Sequence, residues 1–262
     1  AQSFHEFLAQ QPGPWIFENE SGVRSYLYFN AAQKVARYDL LAIPVVDSDR
    51  RMLGIITHDD VIDVVREEAT EDAHRIAAVN PLEASYLKIR LMTLSWKRGI
   101  WLTILFIAAL LTALILQNYE TALANHAWLI AFIPLVISSG GNTGSQSATL
   151  VITAMAIGDV KLQDYMRVIS RELIMGLILG GFLGTIGFLV TLAMVQSVQM
   201  AIIIPITLIL VVVCGALAGS VLPLLFKRLG LDPALMSNPF VAGIVDILGI
   251  VIYMNVALAL LP

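Results

Sequence analysis

The chain is poor in charge and in cysteine. Charged residues make up 14% of its 262 residues, against about 25% in a typical soluble domain. The single cysteine, Cys214, lies in an apolar run, which excludes a disulfide framework within the chain and a metal site built on cysteines. The net charge of −4 gives no basic footprint for nucleic acid. The first residues also lack the basic and apolar regions of a signal peptide.

Apolar residues are abundant instead, at 58% of the chain, and the mean hydropathy is +0.80. Residues 1–98 hold 11 of the 16 Lys and Arg and 14 of the 20 Asp and Glu. An acidic soluble part therefore precedes a membrane part. Because a bilayer core of ~30 Å needs roughly 20 apolar residues in a helix, the sequence predicts five spans, near 100–116, 128–157, 168–195, 200–226 and 239–261.

The basic residues of the short connections predict the orientation of the spans. Nine Lys and Arg precede the first span, separate the second from the third, or separate the fourth from the fifth. The connections 117–127 and 196–199 contain none. Since cytoplasmic loops carry the excess of Lys and Arg, we expect a multi-pass protein of the cell (inner or plasma) membrane with its N-terminal part in the cytoplasm and its C-terminus outside.

Glycines recur at four-residue spacing in two of the predicted spans. Gly176, Gly180 and Gly184 lie in the third span, and Gly215 and Gly219 lie in the fourth. Small residues at this spacing let helix backbones approach closely where lipid gives no hydrophobic drive. The pattern therefore predicts packing between helices, with a flexible hinge as the alternative.

A polar segment interrupts the second predicted span. Residues 138–147 contain three glycines and hydrogen-bonding side chains, and Pro134 precedes them. Such a segment weakens a helix, and loosened backbone at membrane depth is tolerated only against protein or a water-filled cavity. We therefore expect a broken helix that lines an aqueous path. The alternative is that these side chains bond across packed helices.

One carboxylate lies where lipid is expected. Asp246 follows about seven residues into the last predicted span and has apolar neighbours on both sides. Burial of a carboxylate there costs at least ~2.5 kcal/mol on insertion scales, so an acid at this depth indicates function. No Lys, Arg or His within this span can pair with it, which favours a cation as its partner. The alternative is a protonated Asp246 bonded to a neighbouring helix.

A single carboxylate suits Mg²⁺ better than Ca²⁺ or a soft metal. Mg²⁺ keeps several waters and typically takes one or two carboxylates, whereas an all-protein Ca²⁺ site needs six to eight oxygens. The spans offer one Cys and no His to a soft metal. One Asp per chain, doubled by a two-fold dimer, would therefore hold a hydrated Mg²⁺.

The segment before the membrane part predicts two strands and an acidic helix. Residues 43–47 and 53–57 read as short strands, and residues 58–69 have helical periodicity. Seven acids and one Arg lie between Asp59 and Asp72. Like charges at i, i+4 destabilise a helix, and bound cations would relieve this repulsion. The segment is therefore interpreted as a weak divalent-cation sensor or, alternatively, as an ordinary solvated helix face.

Three stretches carry a resemblance to a known family. They are the second-span motif PLVISSGGNTGSQSATLV, the connection LGLDPALMSNPFVAGIVD and the acidic stretch HDDVIDVVREEATEDAHR. In this order they resemble the MgtE family of magnesium channels and transporters, over roughly residues 35–262. The resemblance implies five spans per chain and a homodimer whose pore lies at the subunit interface, lined mainly by the second and fifth spans.

The same resemblance implies roles for particular residues. Asp246 corresponds to the pore aspartate that recognises hydrated Mg²⁺, the backbone carbonyl of Ala242 helps to hold its waters, and Asn142 contributes to the pore wall. Six acids match regulatory residues that lock the pore shut when Mg²⁺ is abundant: Asp60, Asp63, Glu68, Glu71, Asp72 and Asp232. Bound cations would neutralise their repulsion and favour the closed arrangement.

The sequence thus predicts a mainly α, polytopic membrane protein in four parts. Residues 1–30 match nothing assignable, residues 31–69 resemble the last part of an α/β CBS domain, residues 70–98 resemble the family's connecting or plug helix, and residues 99–262 form the five-span pore domain. The family normally has two complete CBS domains. ATP binding by the CBS pair is therefore in doubt here.

These features predict a homodimeric, Mg²⁺-selective channel in the lipid bilayer rather than an enzyme. An inside-negative potential contributes ~2.3 kcal/mol per charge per 100 mV to cation entry, and the sequence has no P-loop of the GxxxxGK[ST] type. The alternatives are an ion-coupled carrier of divalent metals, including Mn²⁺ or Co²⁺, and an intramembrane enzyme that uses Asp246 as acid or base. A carrier would depend on Na⁺ or H⁺, whereas a channel would give currents.

Overall fold

The chain divides into two compact units, Ala1–Glu71 and Asp72–Pro262. The computed structural model describes residue 35, residues 38–46, residue 49, residues 51–82 and residues 86–261. The unassigned residues 1–30 lie outside this described part, so their interpretation stays a prediction.

A two-stranded sheet and most of a helix lie in the first unit, which ends at Glu71, so the last residues of that helix belong to the second unit. β1 (Ala42–Val46) pairs antiparallel with β2 (Met52–Thr57), and α1 (His58–Ile76) follows directly. Its small core contains three buried apolar side chains, Val35, Ile43 and Val61. The two strands and the helix that the sequence predicts are confirmed, although α1 continues beyond the predicted end at residue 69.

A capping structure ends α1 at Ile76. Ala78 has a left-handed backbone conformation with φ of 57°. Two backbone hydrogen bonds of 2.9 Å close the turn, from Ala78 N–H to the Arg75 carbonyl and from Val79 N–H to the His74 carbonyl. This pair of bonds is the Schellman motif of helix ends. Residues 70–98 therefore do not form the single connecting helix that the resemblance implies.

Five long helices dominate the second unit. They are α2 (Leu91–Gln117), α3 (Trp128–Ala156), α4 (Tyr165–Val195), α5 (Ile203–Arg228) and α6 (Asn238–Leu260). Within the described residues, four helices are long and apolar enough to cross a membrane, namely all of these except α3. α3 has 29 residues, which corresponds to about 43 Å, but its centre is polar. The mainly helical, polytopic fold predicted from the sequence is thus confirmed.

The first long helix begins earlier than its predicted span. α2 starts at Leu91 rather than near residue 100. Lys97 and Arg98 consequently lie within its first turns, and the Lys97 ammonium donates a hydrogen bond to the Pro81 carbonyl. A helix that extends beyond the hydrocarbon can carry such basic residues at the membrane surface.

The predicted break in the second span is wrong, because α3 is continuous from Trp128 to Ala156. Hydroxyl groups in its polar centre bond to backbone carbonyls one turn earlier. Ser139 donates to Leu135 at 2.7 Å, Thr143 to Ser139 at 2.8 Å and Thr149 to Ser145 at 2.9 Å. The hydroxyls of Ser139 and Thr143 are thus satisfied within their own helix, whereas those of Ser145 and Ser147 bond to other helices, as the alternative interpretation expects.

α5 occupies the centre of the second unit and packs against α3, α4 and α6. Glycines make the closest approaches. A Cβ at Gly180 would lie 2.8 Å from the Ile209 Cα, and one at Gly215 would lie 2.5 Å from the Gly140 carbonyl oxygen. The packing role predicted for the glycine repeats is confirmed. Leu129, Tyr253 and other fully buried side chains of α3, α5 and α6 form the largest core.

Candidate permeation site

Asp246 lies on α6 against the polar centre of α3. A Cβ built on Gly141 would be 3.2 Å from Asp246 Oδ1 and 3.4 Å from the Ala242 Cβ. Asp246 and Ala242 therefore share the face of α6 that meets Gly141, and the missing side chain at Gly141 leaves room for the carboxylate. Two of the three predicted pore residues are thus brought together.

The carboxylate of Asp246 is half-buried and makes no hydrogen bond or ion pair with any residue of the described part of the chain. The neighbouring Val245 is fully buried and Ile247 is half-buried. A carboxylate in such surroundings is stabilised by a proton, by water or by a cation. The geometry does not provide the bond to a neighbouring helix that the protonated alternative requires.

A stripe of polar side chains on α3 faces outward from the single chain. Ser138, Asn142 and Gln146 are exposed and follow one another at four-residue spacing, which places them on one side of the helix. The Asn142 amide donates to the Ser138 hydroxyl at 3.1 Å. Asn142 is therefore placed beside Gly141 on α3, but it does not bond to Asp246.

The start of α6 is tied to α3 by two hydrogen bonds. Ser145 donates to the Asn238 carbonyl at 3.1 Å, and the Thr149 hydroxyl shares its one proton between the Ser145 carbonyl at 2.9 Å and Asn238 Oδ1 at 3.0 Å. Ser237 caps the helix by accepting from the Phe240 N–H at 3.4 Å. Sequence reasoning missed Asn238, although the Ser-Asn-Pro sequence is typical of a capped helix start.

Five of the predicted regulatory acids lie on α1, of which Asp60 and Asp63 are exposed and Glu68, Glu71 and Asp72 are half-buried. Asp60 accepts hydrogen bonds from the backbone N–H of Thr57 at 3.1 Å and from its hydroxyl at 2.5 Å, as a helix-start residue does. Among the described residues, no three His, Cys, Asp or Glu side chains cluster closely enough to hold a metal ion. The cation-binding role of these acids therefore stays a prediction.

Asp232 has a basic partner that the sequence analysis missed. Its carboxylate accepts a hydrogen bond from the Ala234 N–H at 2.8 Å and forms an ion pair with the Arg75 guanidinium. Both charged side chains are about one-third exposed, at 32% and 33%. Arg75, near the end of α1, and Asp232, in the connection before α6, are 157 residues apart in the sequence. No local sequence signal therefore marks this pair.

Comparison with known proteins relates this geometry to a family. Residues 133–256 match the MgtE family, described as a divalent cation transporter, and residues 28–67 match the CBS domain. The first match contains the centre of α3, all of α4 and α5, and the part of α6 that carries Asp246.

Three curated relatives are each named magnesium transporter MgtE. The protein of Thermus thermophilus is 40% identical over 232 residues, which are 88% of this chain and 51% of that protein. Those of Enterococcus faecalis and Bacillus subtilis are 33% and 31% identical, each over 87% of this chain and 50% of the relative. The chain spans about half the length of these relatives, which are transport proteins rather than enzymes. Through residues 133–256, preceded by a CBS segment, the chain belongs to the MgtE family.

Proposed function

We propose that this chain forms a Mg²⁺-selective channel that passes the hydrated ion across the membrane. The observation that carries the proposal is the unpaired Asp246 carboxylate, which faces the polar centre of α3 from within an apolar helix. Divalent cation transport is the activity named for the matched family and for the relatives. A hydrated divalent ion is the partner that such a carboxylate lacks.

The ion would bind through its water shell rather than directly. The Asp246 carboxylate would accept hydrogen bonds from coordinated waters, and the Ala242 carbonyl one turn earlier would accept another. Gly141 supports this arrangement because its lack of a side chain lets the Asp246 carboxylate lie close to the polar centre of α3. Mg²⁺ dehydrates reluctantly and commonly keeps several waters while it binds one or two carboxylates. A site that contacts the ion only through its waters is therefore suited to Mg²⁺.

A homodimer would complete the path. The exposed polar stripe Ser138, Asn142 and Gln146 cannot face hydrocarbon without leaving amide and hydroxyl groups unsatisfied. A second copy placed against this face would enclose the stripes of both chains around water. The two Asp246 carboxylates, one from each chain, would then share one divalent ion, which matches the one or two carboxylates that Mg²⁺ typically takes.

Cytoplasmic Mg²⁺ would control the path through the acids outside the membrane. Five acidic residues of α1 would bind the ion weakly when it is abundant, namely Asp60, Asp63, Glu68, Glu71 and Asp72. Mg²⁺ at Asp232 would compete with the Arg75 guanidinium for the same carboxylate. The bound ions would favour a closed state, and their loss would favour an open one.

The deciding experiment is Mg²⁺ flux into proteoliposomes that contain the wild-type chain, Asp246→Asn or Asp246→Ala at equal protein density. We expect both variants to lose at least about 90% of the flux, because removal of the only unpaired charge at the site removes a charge-assisted interaction with the hydrated ion. Asp159→Asn provides the matched control, since Asp159 is an exposed acid outside the five long helices.

Undiminished flux in both Asp246 variants would remove the proposed ion site. Currents that persist without Na⁺ or a pH gradient would support a channel, whereas flux that stops when both gradients are abolished would identify a coupled carrier. Crosslinking of the reconstituted chain through a cysteine introduced at Asn142, in a Cys214→Ala background, tests the dimer. Absence of any crosslinked pair would contradict the placement of this stripe at a two-fold interface.

A further inference from the structure

A second carboxylate of the membrane region has a partner on the polar helix. Glu172 lies in the third turn of α4, and its Oε2 accepts a hydrogen bond from the Ser147 hydroxyl at 2.5 Å. Ser147 is 5% exposed and lies in the centre of α3. The bond therefore joins α4 to the helix that carries Gly141 and the polar stripe.

We propose that Glu172 is a positioning residue for the permeation site, which acts through Ser147 to fix the rotation of α3 about its axis. This inference rests on the proposed transport function. Core side chains of α3 such as Leu129 and Val136 pack on α5 and α6, and the bond to Glu172 adds a fixed polar contact on the side of α3 that faces α4.

The surroundings of Ser147 explain why a bond is needed there. A Cβ on Gly219 of α5 would lie 3.0 Å from the Ser147 Cβ, so α3 and α5 cross closely at this level. α3 and α4 otherwise have few contacts, because α5 lies against both. The carboxylate of Glu172 is thus a principal link between α4 and the polar helix.

Rotation of α3 bears directly on the site. Gly141 and Ser147 are six residues apart, which places them about 120° apart around the helix. The bond from Ser147 to Glu172, on one side of α3, thereby helps to set which residue of α3 lies against Asp246 on another side. A rotation of about 20° at the helix radius of ~2.3 Å moves backbone atoms by about 0.8 Å, a displacement large enough to close the space beside Asp246 Oδ1.

The chemistry of the bond distinguishes positioning from ion binding. Ser147 donates and Glu172 accepts, so a Gln at position 172 can still accept through its amide oxygen. A residue that held the transported ion would need its charge. Glu172 has no other hydrogen bond or ion pair with a described residue, which leaves Ser147 as the group through which it acts on α3.

The test compares Glu172→Gln, Glu172→Ala, Ser147→Ala and the double variant Glu172→Ala/Ser147→Ala by Mg²⁺ flux in proteoliposomes. We expect Glu172→Ala and Ser147→Ala each to lower the maximal flux about tenfold, as loss of a hydrogen bond to a charged group does. The half-saturating Mg²⁺ concentration should stay within about twofold. The double variant should lose no more than either single variant, and Glu172→Gln should keep at least half of the flux.

Ser220→Ala is the matched control, because Ser220 is a buried serine of α5 that donates to a carbonyl of its own helix, Leu217, at 3.1 Å. It should retain wild-type flux. Equal loss of flux in Glu172→Gln and Glu172→Ala would overturn the positioning role and assign the charge itself a function. Wild-type flux in both Glu172→Ala and Ser147→Ala would also overturn it. Absence of flux from the wild-type chain, in contrast, would refute the proposed function.

Discussion

The crossing of α3 and α5 has no room for a methyl group, and Gly215→Ala tests this packing. The added Cβ would lie 2.5 Å from the Gly140 carbonyl oxygen and 3.2 Å from its carbon. Ordinary contact begins near 3.4 Å, so the two helices would have to separate by about 0.9 Å. Because both partners at this contact are backbone, no side chain can rotate away.

The magnitude follows from three contributions. Overpacking of a tight contact typically costs about 1–3 kcal/mol, and a gap of 0.5–1 Å along the rest of the crossing forfeits about a quarter to a half of each dispersion contact. The gain in helix propensity from Gly to Ala offsets about 1 kcal/mol. We therefore expect a net loss of about 2 kcal/mol in the free energy of unfolding.

Thermal unfolding of the purified protein in mild detergent, followed by intrinsic fluorescence, measures this effect. A loss of about 2 kcal/mol lowers the Tm by about 4–8 °C for a protein of this size. Gly181→Ala is the matched control, since a Cβ at Gly181 on α4 meets nothing within 4 Å and should leave the Tm unchanged or raise it. A Tm for Gly215→Ala equal to that of Gly181→Ala would refute the close approach of the two backbones.

Two further substitutions test the proposed ion site and its regulation by cytoplasmic Mg²⁺. Gly141→Ala would place a methyl group 3.2 Å from Asp246 Oδ1, so we expect Mg²⁺ flux to fall severalfold while the Tm stays within about 2 °C of the wild-type value; unchanged flux would contradict the role of this space. Arg75→Gln removes the ion-pair partner of Asp232, and a partly exposed pair contributes about 0.5–1 kcal/mol. Inhibition of flux by cytoplasmic Mg²⁺ should therefore shift to about two- to fivefold lower concentrations, and an unchanged midpoint in both Arg75→Gln and Asp232→Asn would exclude competition at this carboxylate.

Some parts of the site could be predicted from local sequence. Asp246 was identifiable because a charged residue is rare in an apolar run, and the glycine repeats were identifiable because their spacing matches one face of a helix. The register of Ala242 with Asp246 follows from the same spacing, since four residues form about one turn.

Other parts required the tertiary structure. The helix of residues 128–156 was expected to break because Ser, Thr and Gly lower helix propensity in water. In α3 the hydroxyls of Ser139 and Thr143 bond within the helix, and Gly140 and Gly144 fit against α5. Contacts between distant residues, such as Arg75 with Asp232 and Ser147 with Glu172, leave no periodic signal in the sequence.

The polar centre of α3 also constrains the order in which the protein can be assembled in the membrane. Among the described long helices of the second unit, α3 is the one with a polar centre, and it is not among the four that are apolar enough by composition to be candidate spans. Its glycine face is covered by α5, which follows two helices later in the chain. We therefore expect stable insertion of α3 to depend on the presence of α5. Substitutions that weaken the α3–α5 crossing should consequently lower the amount of inserted protein as well as its stability.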